Sequence, residues 1–144
     1  MIVNTTRFGE VDADENLVFT FVSPIIGFEN AKYFILIEND NNNVFRWLQS
    51  TEYPDLAFPV STTSNFKIDY SFEIDDQTVA LLDLKSIEEV LTLNIVNIPR
   101  GKPKESTINL LAPVIINKRT KQGSQLILNG ADYLVQQPLF PKGV

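Results

Sequence analysis

The chain has 144 residues, 44% of them apolar and 10% aromatic, a net charge of −6, and neither histidine nor cysteine. That composition predicts one packed globular domain over 1–144. The missing residue types exclude disulfides, thiol chemistry, histidine-dependent triads, HExxH sites and zinc fingers. The opening MIVNTTRFGE lacks the basic and apolar regions of a signal peptide, and the apolar runs are too short to span a bilayer, so a soluble cytoplasmic protein is expected.

In chain order, period-two alternation and β-rich composition dominate. NLVFTFV (16–22) reads as a strand with Leu17, Phe19 and Phe21 on one face. AKYFILIE (31–38) is nearly continuous apolar sequence, as in a strand buried on both sides. ENDNNN (38–43) superficially suggests a calcium loop. Counted from Asp40, however, the required glycine and glutamate are Phe45 and Thr51, and asparagine suits a surface turn. VFRWLQS (44–50) sets Phe45, Trp47 and Gln49 against Val44, Arg46, Leu48 and Ser50, and both faces are mixed. In LAFPV (56–60), Pro59 cannot donate to a ladder and marks an edge or a bulge. FKIDYSFEI (66–74) puts Phe66, Ile68, Tyr70, Phe72 and Ile74 on one side and Lys67, Asp69, Ser71 and Glu73 on the other. It reads as the best-defined half-buried strand.

DDQTVALLDL (75–84) is the main helix candidate, with acids at its start where the helix dipole favours them. SIEE (86–89) has the spacing of a capping box, Ser86 to Glu89. VLTLNIVNIP (90–99), STINLLAP (106–113), VIINKRT (114–120) and SQLILN (124–129) follow as strands, separated by the basic turns RGKPKE and NKRTKQG. Two prolines in QQPLFPKGV predict a loosely packed tail over about 136–144. The expected fold is all-β and mostly antiparallel, a single-domain barrel or sandwich with one or two short helices.

Charge divides the chain. Residues 1–98 carry 16 acidic and 5 basic side chains, and residues 99–144 carry 2 acidic and 7 basic. The acidic first part repels phosphates, so a basic protein fits it better as a partner than nucleic acid does. Carboxylate pairs such as Asp12/Asp14 and Asp75/Asp76 fall in turns or at a helix start. A small β domain has little room for the cleft glycosidase chemistry needs. No catalytic residue, metal ligand or cofactor site is expected. Trp47 belongs either to the core or to an interface, where tryptophan is a strong anchor and the STEYPD turn supplies a polar rim.

Four stretches, VSPIIGFENAKYFILIE, FRWLQSTEYPDLAFPV, VLTLNIVNIPRG and TINLLAPVIINKRTKQGSQLILNGADY, together resemble the flagellar assembly factor FliW family over roughly residues 2–140. The leucine-glutamine-serine strand with its proline turn, and NLLAP before an apolar strand ending in asparagine, are the most specific. The chain departs from the family at Ile25-Ile26-Gly27-Phe28-Glu29, where Leu-Pro-Gly-Phe-Glu is usual. It departs again at Ser61-Thr62-Thr63-Ser64, where many members carry Asp-Pro. The resemblance implies a cytoplasmic, non-catalytic binding switch with a barrel-like fold and two partners. One is newly made flagellin; the other is the RNA-binding translational regulator CsrA. Export of flagellin frees the switch to sequester CsrA, so that flagellin translation resumes.

On that reading the expected CsrA-docking patch comprises Glu52, Asp55, Asp69, Glu73, Asp75 and Asp76, with Trp47 or Tyr53 as its apolar anchor. The free protein is expected to be monomeric, with no direct contact to nucleic acid or membrane. The rival is an unrelated small β module that binds a glycan or another protein. A concave, aromatic-lined pocket would favour it, and an acidic patch beside an edge strand would favour the switch.

Overall fold

The computed structural model describes residues 1–39, 42–130 and 132–140. Asp40 and Asn41 of the ENDNNN turn lie outside the described residues, as do 141–144 of the tail. Strands β1 (Ile2–Thr5) and β2 (Gly9–Asp12) form a separate antiparallel hairpin. One larger sheet contains β3 (Phe19–Phe21), β4 (Tyr33–Asn39), β5 (Asn42–Ser50), β6 (Ala57–Ser61), β7 (Val90–Asn97), β8 (Thr107–Ile108), β9 (Val114–Asn117), β10 (Gln122–Gln125) and β11 (Gln137–Pro138). Among the described residues α1 (Asp76–Leu81) is the one α-helix.

The sheet closes on itself. β3, β4, β5, β6 and β7 pair in succession, β7 pairs with β9, and β9 with β10; β10 then returns to β3. The result is a seven-stranded barrel. That last pairing, Gln122 with Thr20 and Gly123 with Phe21, is parallel, while every other ladder is antiparallel. A Cβ on Gly123 would stand 3.2 Å from the Phe21 ring and 3.3 Å from Ile116. Glycine lets the closing strands approach over the core.

Alternation along the barrel strands sorts inside from outside. Phe19, Phe21, Phe34, Leu48, Val60, Leu93, Val114 and Ile116 form one buried interior cluster, with Phe21 and Phe34 edge to face at 5.1 Å. Ile115 and Val96 belong instead to two clusters outside it, one with Leu82 and Leu126, the other with Ile108, Leu110 and Leu139.

These outer clusters explain the largest difference from the sequence expectation. FKIDYSFEI is not a strand of any ladder. Its side chains do alternate: Phe66, Ile68, Tyr70, Phe72 and Ile74 are partly buried, and Lys67, Asp69, Ser71 and Glu73 are exposed. The β6–β7 pairing has ended at Ser61, and a 3₁₀ turn (Thr63–Phe66) with Lys67 at φ +55° redirects the chain. Residues 67–75 then run as a strap. Phe66, Ile68 and Tyr70 pack on the Val96–Leu110 cluster, Phe72 and Ile74 on the Ile115–Leu82 cluster. Alternation reports an extended backbone with one dry side; a ladder also needs a neighbour.

Smaller differences have equally local causes. Leu17 lies in a 3₁₀ turn and is exposed, off the Phe19–Phe21 face. β6 is an inner strand, yet Pro59 faces only Trp47 of β5, since pairing to β7 begins at Val60. STINLLAP keeps two ladder residues, Thr107 and Ile108, because Asn109 Oδ1 accepts from the amides of Leu111 and Ala112 and turns the chain. The last barrel strand is Gln122–Gln125, earlier than SQLILN. Asp75 and the Ser86–Glu89 box cap their helical turns as expected, with Asp75 Oδ1 accepting from Thr78 N at 3.1 Å and Glu89 Oε1 from Ser86 N at 3.0 Å. In the tail, β11 pairs with β8, and Leu139 is buried with its N–H bonded to Ser106 O.

Candidate docking surfaces

The eight residues singled out from the sequence fall into two groups. Glu52, Tyr53 and Asp55 occupy the turn between β5 and β6, just beyond Trp47. Asp69, Glu73, Asp75 and Asp76 follow the other end of β6, on the strap and at the start of α1. No described hydrogen bond or ion pair joins the two groups.

Gln49 and Ser50 build the turn. Gln49 points outward from the barrel but is fully buried. Its Nε2 lies 3.0 Å from Ser50 O, 3.2 Å from Pro54 O and 3.1 Å from Leu56 O, while its Oε1 is buried without a partner. Ser50 Oγ accepts from the amides of Glu52 (3.1 Å) and Tyr53 (2.9 Å). Sequence reading missed both as organisers; the signal was two polar residues ending an apolar strand.

The turn's carboxylates are engaged within the chain. Glu52 Oε1 accepts from the amides of Lys32 (2.9 Å) and Tyr33 (3.2 Å), and Asp55 accepts from the Thr6 hydroxyl. Trp47 is half-buried, with the Arg7 guanidinium carbon 4.0 Å from the ring centroid and Phe8 edge-on at 6.1 Å. The β1–β2 hairpin thus supplies a cation–π partner and a ring contact. Tyr53 remains 45% exposed. With Phe28, Ala31 and Leu56 it lines a shallow pocket of about 340 Å³. Phe28, also exposed, was not singled out from the sequence.

The strap's acids are freer. Asp69 and Glu73 are exposed and form no ion pair among the described residues. Asp75 caps α1, and Asp76 lies in its first turn. Tyr70 fixes the strap from beneath. Its hydroxyl donates to Leu110 O at 2.7 Å and accepts from Asn94 Nδ2 at 3.3 Å. Burial pushes the Tyr70 hydroxyl pKa up to about 12, against the lowering effect of Asn94 and with a smaller upward contribution from Tyr133. Tyr133 Oη bonds both the N–H and the carbonyl of Ser71.

A groove of about 660 Å³ opens between the strap at Tyr70–Ile74, the turn carrying Lys85–Ile87, and Val90 and Thr92 of β7. Its far wall is set by a clasp. Arg119 bonds Glu89 through Nε and Asp83 through Nη2, Lys85 reaches Asp83 at 3.2 Å, and Asn117 Nδ2 donates to Leu82 O at 2.7 Å. The hydrogen bond from Lys85, then that from Arg119, holds the Asp83 carboxyl below its ordinary 3.8. Arg119 does the same to Glu89, below 4.5. Among the described residues no cluster of carboxylates is placed to hold a metal ion, and no helix is long and apolar enough to cross a membrane.

Fold and surface define a class: a small closed β-barrel, dressed on the outside by a hairpin and a strap, that offers carboxylates, aromatic rings and open backbone. The match to known proteins is particular. A profile of the FliW protein family fits residues 2–139. The flagellar assembly factor FliW of Natranaerobius thermophilus is 37% identical over 140 residues, 97% of this chain and 93% of that protein. That of Caldanaerobacter subterraneus subsp. tengcongensis is 39% identical over 97% and 93% of the two chains, and that of Leptospira interrogans 38% over 96% and 92%. A crystal structure of the flagellar assembly factor FliW superposes with a TM-score of 0.92 at 28% identity, covering all of both chains. The chain belongs to the FliW family of flagellar assembly factors.

Proposed function

We propose that this chain acts in the cytoplasm as a single-domain, monomeric protein-binding switch that turns over no substrate. It takes up newly made flagellin, and once flagellin is exported it sequesters CsrA and relieves repression of flagellin translation. Family membership over residues 2–139 carries the reading. The exposed, unpaired carboxylates of Asp69 and Glu73, with Asp75 and Asp76 beside them, support a basic partner on the strap side. Tyr53 supports an aromatic anchor at the turn, since Trp47 is occupied by Arg7 and Phe8.

Linkage makes the two partners lower each other's affinity if they share a surface or favour different states. Flagellin titrated into a preformed complex with CsrA is therefore expected to release CsrA; a stable ternary complex with undiminished affinities overturns the exchange. Reversing Asp69 and Glu73 to lysine should slow CsrA capture at low salt while leaving the thermal midpoint nearly unchanged. Identical capture kinetics across a salt series would remove these acids from the interface. The Phe28–Tyr53 pocket favours a second reading, glycan binding. Line broadening of an oligosaccharide that is lost in Tyr53→Ala would support it.

A further inference from the structure

The groove beside the strap is bounded by two stretches of extended backbone that have no strand between them. β6 covers β7 only at Asn94 and Ile95, so the β6-side edge of β7 is open from Val90 to Leu93. The direction of its main-chain groups follows from alternation. Glu89 O accepts from Lys118 N and Ile95 O from Asn109 N, both on the β8–β9 side. Between them Val90 and Thr92 direct their amides and carbonyls the other way. The Val90 N–H is taken by Ile87 O, but the Thr92 groups have no strand to meet.

Across the groove the strap is in the same condition. Among the described residues, the main-chain groups of Asp69, Tyr70, Phe72, Glu73 and Ile74 make no hydrogen bond. Unpaired, extended backbone is a template for another strand. At about 3.3 Å per residue, the length from Tyr70 to Ile74 accommodates an added segment of four or five residues. Apolar side chains pointing inward would meet Ile74, Val79, Leu84 and Val90 of the lining. Ile87, 75% exposed at the rim, is left without cover.

Charge selects the occupant. Glu73 lines the groove, and Glu88 adjoins Ile87 in the chain; both are exposed and unpaired among the described residues. The one lysine of the lining, Lys85, is tied to Asp83. We propose that this groove is a strand-addition slot that takes an extended segment of a partner protein, with apolar side chains toward the barrel and basic ones toward solvent. The basic occupant rests on reading the strap acids as a docking surface; the strand mode rests on the open edges alone, whichever protein supplies the segment.

The probe is a short blocked peptide alternating valine and lysine, with two controls. One has glutamate in place of lysine, and the other is N-methylated at alternate amides so that one edge cannot pair. Binding and amide exchange are followed by NMR on the whole protein. The lysine peptide is expected to slow exchange at Thr92, Phe72 or Ile74, and both controls to bind roughly tenfold or more weakly, which is about 1.4 kcal/mol or more. Joint reversal of Glu73 and Glu88 to lysine should weaken the lysine peptide by a similar factor. Four outcomes overturn the proposal: no binding, protection centred on Tyr53, indifference to N-methylation, or the same amides protected by self-association without peptide. Failure here beside intact exchange of flagellin and CsrA would sink the slot and leave the switch standing.

Discussion

The β5–β6 turn and the strap are built in opposite ways. In the turn, polar groups are consumed internally: Gln49 and Ser50 tie its backbone, and Glu52 and Asp55 accept from neighbouring elements. In the strap, apolar side chains hold the segment down while the carboxylates of Asp69 and Glu73 and the main-chain groups of Tyr70, Phe72 and Ile74 stay open. Acidic residues of similar exposure therefore differ in availability. A carboxylate that already accepts two amides has less to gain from an arriving lysine than one facing only water.

The contrast can be broken most severely at Gln49. Gln49→Leu removes the donor shared by the turn carbonyls and should destabilise by about 2 kcal/mol, part of the loss being offset by removing the unpartnered Oε1. Urea unfolding measures this, and exchange at Glu52 and Tyr53 should quicken. An unchanged midpoint with unaltered exchange would mean the turn is held by packing instead. Tyr70→Phe tests the strap by deleting the hydroxyl that bonds Leu110 O and Asn94 while keeping the ring. About 1 kcal/mol is expected, with loosening confined to residues near 70; a loss larger than at Gln49 would invert the comparison.

The smallest effect concerns the clasp that positions the groove's far wall. Asp83 and Glu89 are held below their ordinary values, so their contribution is complete above pH about 4.5 and is lost as pH falls through the depressed values. Arg119→Met should flatten the acid limb of the stability curve below pH about 4 and leave neutral stability little changed, as for an exposed network. An acid limb identical to the parent's would show that the pairs do not act in solution.

The sequence carried the faces of elements better than their partners. Alternation in 66–74 named every side chain that is partly buried, because that depends only on extended backbone and one dry side. It could not reveal that β6 ends at Ser61 and leaves no neighbour. Capping residues were legible at Asp75 and Glu89, where the chemistry is local. The β3–β10 pairing was not, since two residue pairs about a hundred positions apart leave no periodic trace. Of the candidate site, the strap acids could be read from polarity; the involvement of Glu52 and Asp55 in internal bonds could not, because their partners lie at the entry to β4 and in the hairpin turn. Alternation sets Gln49 on one face with Trp47 without deciding which face is outside, and the burial of Gln49 depends on the turn that folds over it.

That same distant pairing governs how the molecule is made. Thr20 and Phe21 meet Gln122 and Gly123 only when the roughly one hundred residues between them are available. Ordering so long a loop comes late and slows folding, as in other proteins dominated by non-local contacts. On the ribosome, β3 to β7 can pair in sequence as they emerge, yet Phe19, Phe21 and Phe34 stay without their far wall until β9 and β10 follow. The barrel closes only once β10 follows β7, roughly 30 residues and a few seconds of synthesis later at most.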